Sequence, residues 1–199
     1  MSEHALIVID VQNDFCPGGA LAVDEGDVIV PLMNQLIDTH SHVILTQDWH
    51  TADHSSFASQ HPGKAPYETV EAEYGPQTLW PDHCVQGTKG AEFHPDLNVT
   101  PAELIIRKGF RQAIDSYSAF FENDHTTPTG LAGYLRERGL SKLRLAGLAT
   151  DFCVAYSALD AVAQGFSVEV VLAASRGIDL DGSVDAMIGR MREAGVVIR

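Results

Sequence analysis

Residues 5–10, Ala-Leu-Ile-Val-Ile-Asp, carry five apolar side chains straight into a carboxylate, Asp10. A run that is apolar at every position, not at every second one, marks a strand buried on both faces of a parallel sheet. Three further runs share the design: His-Val-Ile-Leu-Thr-Gln before Asp48 and His50, Glu-Leu-Ile-Ile-Arg before Lys108, and Lys142–Thr150 before the helix that carries Cys153. In open parallel α/β sheets, ligands sit in the crevice beyond the carboxyl ends of the strands. A carboxylate, an Asp-x-His pair, an amine and a thiol delivered to that one edge point to an active site.

Outward from these runs, strands are expected at Leu6–Ile9, Val43–Thr46, Leu104–Ile106, Leu143–Leu148, Val168–Leu172 and Val196–Ile198. Helical patterns occupy about Val28–His40, Thr129–Arg138, Asp151–Gln164 and Gly182–Ala194, and Gly139, Gly165 and Gly195 stand where helices end on a left-handed residue. Strand and helix alternating in this way give a doubly wound, mostly parallel six-stranded α/β sheet with helices on both faces. From Trp49 to Pro101 the pattern stops, leaving Pro, Gly, aromatics and His50, His54, His61, His83 and His94. So long an excursion inside a compact domain is usually functional.

The 199 residues fit one domain, spanning 1–199, and a formal charge of −14 argues against nucleic acid or an anionic membrane as partner. No apolar stretch is long enough to span a membrane, and the start, Met-Ser-Glu-His, lacks the basic region of a secretory leader. The three cysteines cannot all pair, which fits a reducing cytoplasm.

Cys153 stands apart from Cys16 and Cys84, which read as small buried hydrophobes. Thr150 can cap the next helix and so place Cys153 in its first turn, where free N–H groups and the helix dipole favour a thiolate and can hold an oxyanion. Asp10, desolvated at a strand end, would have the raised pKa of a general base, and Lys108 would hold both Asp10 and the thiolate charged. Asp48 and His50, two apart on an extended chain, point to one side and can share a zinc, iron or manganese ion. His83, stiffened by Pro81, is the preferred third ligand; His54 is the reserve, and Cys84 ranks below both. Phe15, Trp80 and Tyr117 lie in loops beside these groups, where they either pack the core or flank a flat aromatic substrate.

These residues resemble the nicotinamidase (pyrazinamidase) branch of the isochorismatase-like cysteine hydrolases. The resemblance runs nearly end to end, through IDVQNDFCPGGALAV, TQDWH, WPDHCVQGT, AEFHP, RKGF, DSYSAF and GLATDFCV. It implies a Rossmann-like three-layer sandwich and an Asp-Lys-Cys triad on Asp10, Lys108 and Cys153. It also implies metal ligands at Asp48, His50 and His83, with His54 where some members use a further side chain. A cis peptide between Leu148 and Ala149 would turn the Ala149 and Cys153 N–H groups toward an oxyanion. The expected reaction is hydrolysis of nicotinamide, or pyrazinamide, to the acid and ammonia through a cysteine thioester, in NAD salvage. The ring would lie between Phe15 and Trp80 with its nitrogen on the metal, in a monomer or homodimer. No role transfers to Gly109–Asp115, whose length varies in the family. The rivals are another amidase or isochorismatase-like hydrolase, a metallohydrolase working through metal-bound hydroxide, and a noncatalytic small-molecule binding protein.

Overall fold

A computed structural model describes residues 4–199; the reading of the first three residues as lacking a basic leader lies outside it. The elements in chain order are β1 (Ala5–Ile9), α1 (Val30–Thr39), β2 (Val43–Asp48), β3 (Thr69–Ala72), β4 (Gly75–Thr78), β5 (Leu104–Lys108), α2 (Leu131–Glu137), β6 (Lys142–Leu148), α3 (Ala155–Ala163), β7 (Ser167–Arg176), α4 (Ser183–Glu193) and β8 (Val197–Ile198). Six strands form one sheet in the order β5-β2-β1-β6-β7-β8, every neighbouring pair parallel.

The all-apolar run of β1 is fully buried, as a central strand covered on both faces must be. Ile7 and Ile9 face α2, α3 and α4 together with Leu143 and Leu145. Leu6 and Val8 face α1 and the loops around Phe15, Trp80 and Leu97. One face is therefore covered by three helices and the other by one helix plus loop. Strand order reverses between β1 and β6, the switch point where a crevice opens beyond the strand ends. Among the described residues, no helix is long and apolar enough to cross a membrane.

Several boundaries move for physical reasons. Helix α1 begins at Val30, with Pro31 in its first turn, and Val28 is left exposed. Strands β2 and β5 run on to Asp48 and Lys108, which face each other in register as the last pair of their ladder. Those two side chains are thus held by sheet rather than by loop. The excursion is not free of regular structure: β3 and β4 form an antiparallel hairpin, and a short 3-10 turn covers Ala58–Gln60. Gly139, Gly165 and Gly195 all adopt positive φ at helix ends, as expected.

Candidate active site

The switch point gathers one carboxylate, one thiol and one ammonium. Asp10 ends β1 with φ +47, Cys153 lies on the turn after β6, and Lys108 arrives from β5. Lys108 is 1% exposed, and burying an ammonium costs several kcal/mol unless it is paired. Its Nζ donates to Asp48 Oδ1 at 3.0 Å, to the Ser116 carbonyl at 3.0 Å and to Cys153 Sγ at 3.3 Å. Three protons meet three acceptors. Asp10 Oδ2 lies closer still, 2.8 Å from the same nitrogen, and pairs with its charge.

Protonation states follow from burial. Desolvation raises Asp10 above its ordinary value, against the pull of Lys108, and the neighbouring Asp48 raises it further. Burial likewise lifts the Cys153 thiol well above its ordinary value; Lys108 opposes this, while Asp10 and Asp48 reinforce it. Desolvation and two carboxylates thus work against the thiolate that helix position favours, and Asp10 stands as hydrogen-bond partner to the thiol. Nor does Thr150 cap the turn. Ala149 is the N-cap, no side chain caps it, and residues Thr150–Val154 form a π-turn that swings Cys153 into the crevice. The peptide between Leu148 and Ala149 is cis.

Beside the triad, the second set of side chains also converges. Asp48 Oδ2 lies 3.0 Å from His50 Nε2 and 3.3 Å from His83 Nε2, and the ligand atoms of all three residues lie within 4.8 Å of one another. His50 Nδ1 points at the Gly109 carbonyl at 2.9 Å, and His83 Nδ1 at the Pro81 carbonyl at 2.7 Å. A carbonyl only accepts, so both Nδ1 atoms carry hydrogen and both Nε2 lone pairs face one carboxylate oxygen. That arrangement is repulsive unless positive charge stands between them. The direction of the His50 pKa says the same: burial pushes it down, but Asp48 and Asp115 together push it up and the imidazole ends above its ordinary value. Asp10 and Asp48 both pair with the one buried ammonium of Lys108, and Asp115 stands 4.0 Å from His50 Nε2 on the other side. A carboxylate and two imidazoles so placed suit a divalent metal ion.

A small crevice joins the two sets, lined by Phe15, Trp80, Tyr117 and Phe152 as well as Asp48, His83 and Cys153. Trp80 stands edge-on to Phe152, with ring centroids 4.9 Å apart, and its Nε1 donates to the Tyr117 hydroxyl at 3.1 Å. Apolar walls around a few polar groups make a site for a small flat molecule.

The isochorismatase domain family matches residues 4–199. The chain belongs to that family. It is 54% identical to a nicotinamidase of Acinetobacter baylyi over 96% of this chain and 90% of that protein. A solved Acinetobacter baumannii nicotinamidase/pyrazinamidase superposes with a TM-score of 0.98 at 58% identity, covering 100% of this chain and 96% of the other. A pyrazinamidase of Pyrococcus horikoshii solved in complex with zinc reaches a TM-score of 0.80 at 36% identity, covering 100% of this chain and 99% of its own.

Within this isochorismatase fold, two of the weaker ligand candidates fall differently from the main set. His54 lies with His50 and Asp115 in a second cluster of ligand spacing, but its nitrogens are engaged. Nδ1 accepts from the Ser56 N–H at 3.2 Å and contacts the Ser56 hydroxyl at 2.8 Å, while Nε2 meets the Ile114 carbonyl at 3.2 Å. Cys84 joins no ligand cluster among the described residues, and burial holds its thiol well above its ordinary value. Cys16 is pushed up to about 11, also by burial. Both stay inert thiols.

Other residues that shape the site escaped the sequence reading. Gln12 clamps the backbone of Asp48 like a missing strand partner: Oε1 accepts from Asp48 N–H at 2.7 Å and Nε2 donates to Asp48 O at 2.9 Å. Asp14 ties the Phe15 loop to the His83 loop by accepting from Ala20 N–H and Cys84 N–H. At Gly109, with φ +64, a Cβ would lie 2.5 Å from the His50 ring, so only glycine lets that carbonyl reach His50. Asp115, 2% exposed, faces the crevice and accepts from Gln77. The i, i+2 rule that selects Asp48 and His50 also selects Thr46; nothing in the local sequence singles out Asp115.

Proposed function

We propose that this isochorismatase-family chain is a nicotinamidase, hydrolysing nicotinamide to nicotinic acid and ammonia and acting likewise on pyrazinamide, as a step of NAD salvage. The observation that carries the reading is the single Lys108 ammonium, which touches the thiol of Cys153, the carboxylate of Asp10 and the metal-facing carboxylate of Asp48 at once. Nucleophile, base and metal site are thereby one buried unit, and relatives 54% identical over nearly the whole chain bear the name nicotinamidase.

Asp48, His50 and His83 would hold a divalent ion, zinc or iron before manganese, which would supply a Lewis-acidic point for orienting the substrate ring. Phe15 and Trp80 flank the ring, and Tyr117, whose hydroxyl is occupied by Trp80 and Gln77, holds the indole in place. Asp10 Oδ2 takes the thiol proton as Sγ attacks the carboxamide carbon. The N–H groups of Ala149 and Cys153 receive the developing oxyanion, and Lys108, 3.3 Å from Sγ, balances the charge that passes from Asp10 to the sulfur. The proton passes from Asp10 to the departing nitrogen, ammonia leaves, and a thioester remains. Asp10 then deprotonates water, which attacks the thioester and releases the acid and the free thiol. Positioning and oxyanion stabilisation supply most of the acceleration. Three cysteines that form no disulfide support a reducing compartment, the cytoplasm.

The test is ammonia release from nicotinamide and pyrazinamide by wild type and Cys153→Ala. Wild type should turn over both, and the variant should lose at least about 10³-fold in kcat, the scale on which removal of a nucleophile is felt, with fold and metal content retained. Substantial turnover by the variant would instead indicate a metal-hydroxide hydrolase. A wild type that binds a pyridine but releases no ammonia would be a binding protein.

A further inference from the structure

Thr46 has no assigned role, yet its hydroxyl makes the shortest contact to Asp10. Its Oγ1 donates to Asp10 Oδ1 at 2.6 Å and accepts from the Asp10 backbone N–H at 3.2 Å. Both residues are 0% exposed. Packing alone does not call for this hydroxyl, because valine has the same shape and suits a buried strand better. The alcohol is explained by what it holds.

It holds two things. Asp10 sits at φ +47, a left-handed conformation that costs a non-glycine residue energy, and the bond from its N–H anchors that backbone. The terminal carboxylate torsion is broad, so without an anchor the plane of the group can tilt. Donation from Thr46 pins one oxygen and with it that plane. The other oxygen, Oδ2, is then held 2.8 Å from the Lys108 ammonium. The charged and titratable groups around Asp10 are Lys108 from β5, Asp48 from β2 and Cys153 from the π-turn. Lys108 approaches Oδ2, and the hydrogen bond to Oδ1 comes from Thr46.

We infer that Thr46 is a positioning residue for the Cys153 chemistry: its hydroxyl fixes the plane of the Asp10 carboxylate so that the oxygen beside Lys108 is held ready to exchange the proton with Cys153. This rests on the proposed roles of Asp10 and Cys153. Thr46 does not line the crevice, so the effect belongs in the chemical step and not in substrate binding.

Thr46→Val and Thr46→Ser separate the hydroxyl from the volume, and they are compared with wild type by nicotinamide kinetics, metal content and the rate of Cys153 alkylation by iodoacetamide. Misplacing a general base and orphaning a buried charged hydrogen bond should lower kcat of Thr46→Val by about 10- to 100-fold. KM and metal stoichiometry should be unchanged, alkylation should slow in parallel, and Thr46→Ser should recover most of both rates. The inference is overturned if Thr46→Val matches wild type, if Thr46→Ser is as impaired as Thr46→Val, or if the loss appears in KM or metal content. A wild type without ammonia release would defeat the functional reading, and the alkylation series would still decide the role of Thr46.

Discussion

The two ends of the central sheet both bury charge, and they balance it differently. At the amino ends, Glu169 on β7 is met by Arg144, with Nη2 at 2.6 Å and Nε at 2.9 Å, and by Arg199, with Nε and Nη2 each at 3.2 Å. Burial would raise the Glu169 carboxyl, but Arg144, joined by Arg199 and His4, holds the group below its ordinary value. Each acceptor there finds donors among the protein's own side chains. At the carboxyl ends, two buried carboxylates share one ammonium, and two imidazole lone pairs face one oxygen. A self-satisfied ion-pair network stabilises a fold. A cluster that lacks positive charge is arranged for something that arrives from outside: an ion, a substrate, a proton.

The contrast can be broken from either end. The larger effect is expected at the carboxyl edge, where His50→Ala removes a ligand and leaves Asp48 facing His83 alone. Stoichiometric metal should be lost, and kcat/KM should fall by more than the roughly 10- to 100-fold that outer partners of a metal site cost. Unchanged metal content by elemental analysis would show the ligand assignment to be wrong. A smaller effect is expected at the amino edge. Glu169→Gln should destabilise the fold by about 1–2 kcal/mol, the scale of partly exposed hydrogen bonds to a charged group, and leave kcat/KM alone. Because the Glu169 pKa is depressed in the folded state, this contribution is present above the ordinary glutamate range. It fades as pH falls through the folded value, so wild type and variant should converge in stability in acid. An activity loss in Glu169→Gln as large as that of His50→Ala would erase the distinction between the two ends.

Much of this organisation is legible in the chain because burial writes itself into sequence. Strand β1 is apolar at every position because both its faces are covered, and the residue that ends it is therefore thrown into the crevice. The same logic exposes Asp48, Lys108 and the Cys153 turn. Where chemistry comes from loops and long-range pairing, the signal weakens. The β3–β4 hairpin is mostly solvent-facing and contains Pro76, so its alternation carries little contrast. The turn before Cys153 invites an N-cap at Thr150, but the π-turn begins one residue earlier, with Ala149 as its cap. The thiolate expected from helix position alone is opposed by burial among carboxylates, a balance that only three-dimensional neighbours reveal. Asp115 shows the limit: it reaches His50 Nε2 at 4.0 Å by way of a loop whose sequence carries no periodicity.

The central claim is that carbon passes through sulfur: the acyl group of the carboxamide is carried on Cys153 before water takes it. Turnover of nicotinamide in the presence of hydroxylamine measures this directly, because an acyl thioester partitions between water and the added amine nucleophile. The account predicts nicotinohydroxamate formed alongside nicotinic acid, with total product matching ammonia release, and neither product from Cys153→Ala. Full ammonia release with nicotinic acid as the sole product at every hydroxylamine concentration would contradict it.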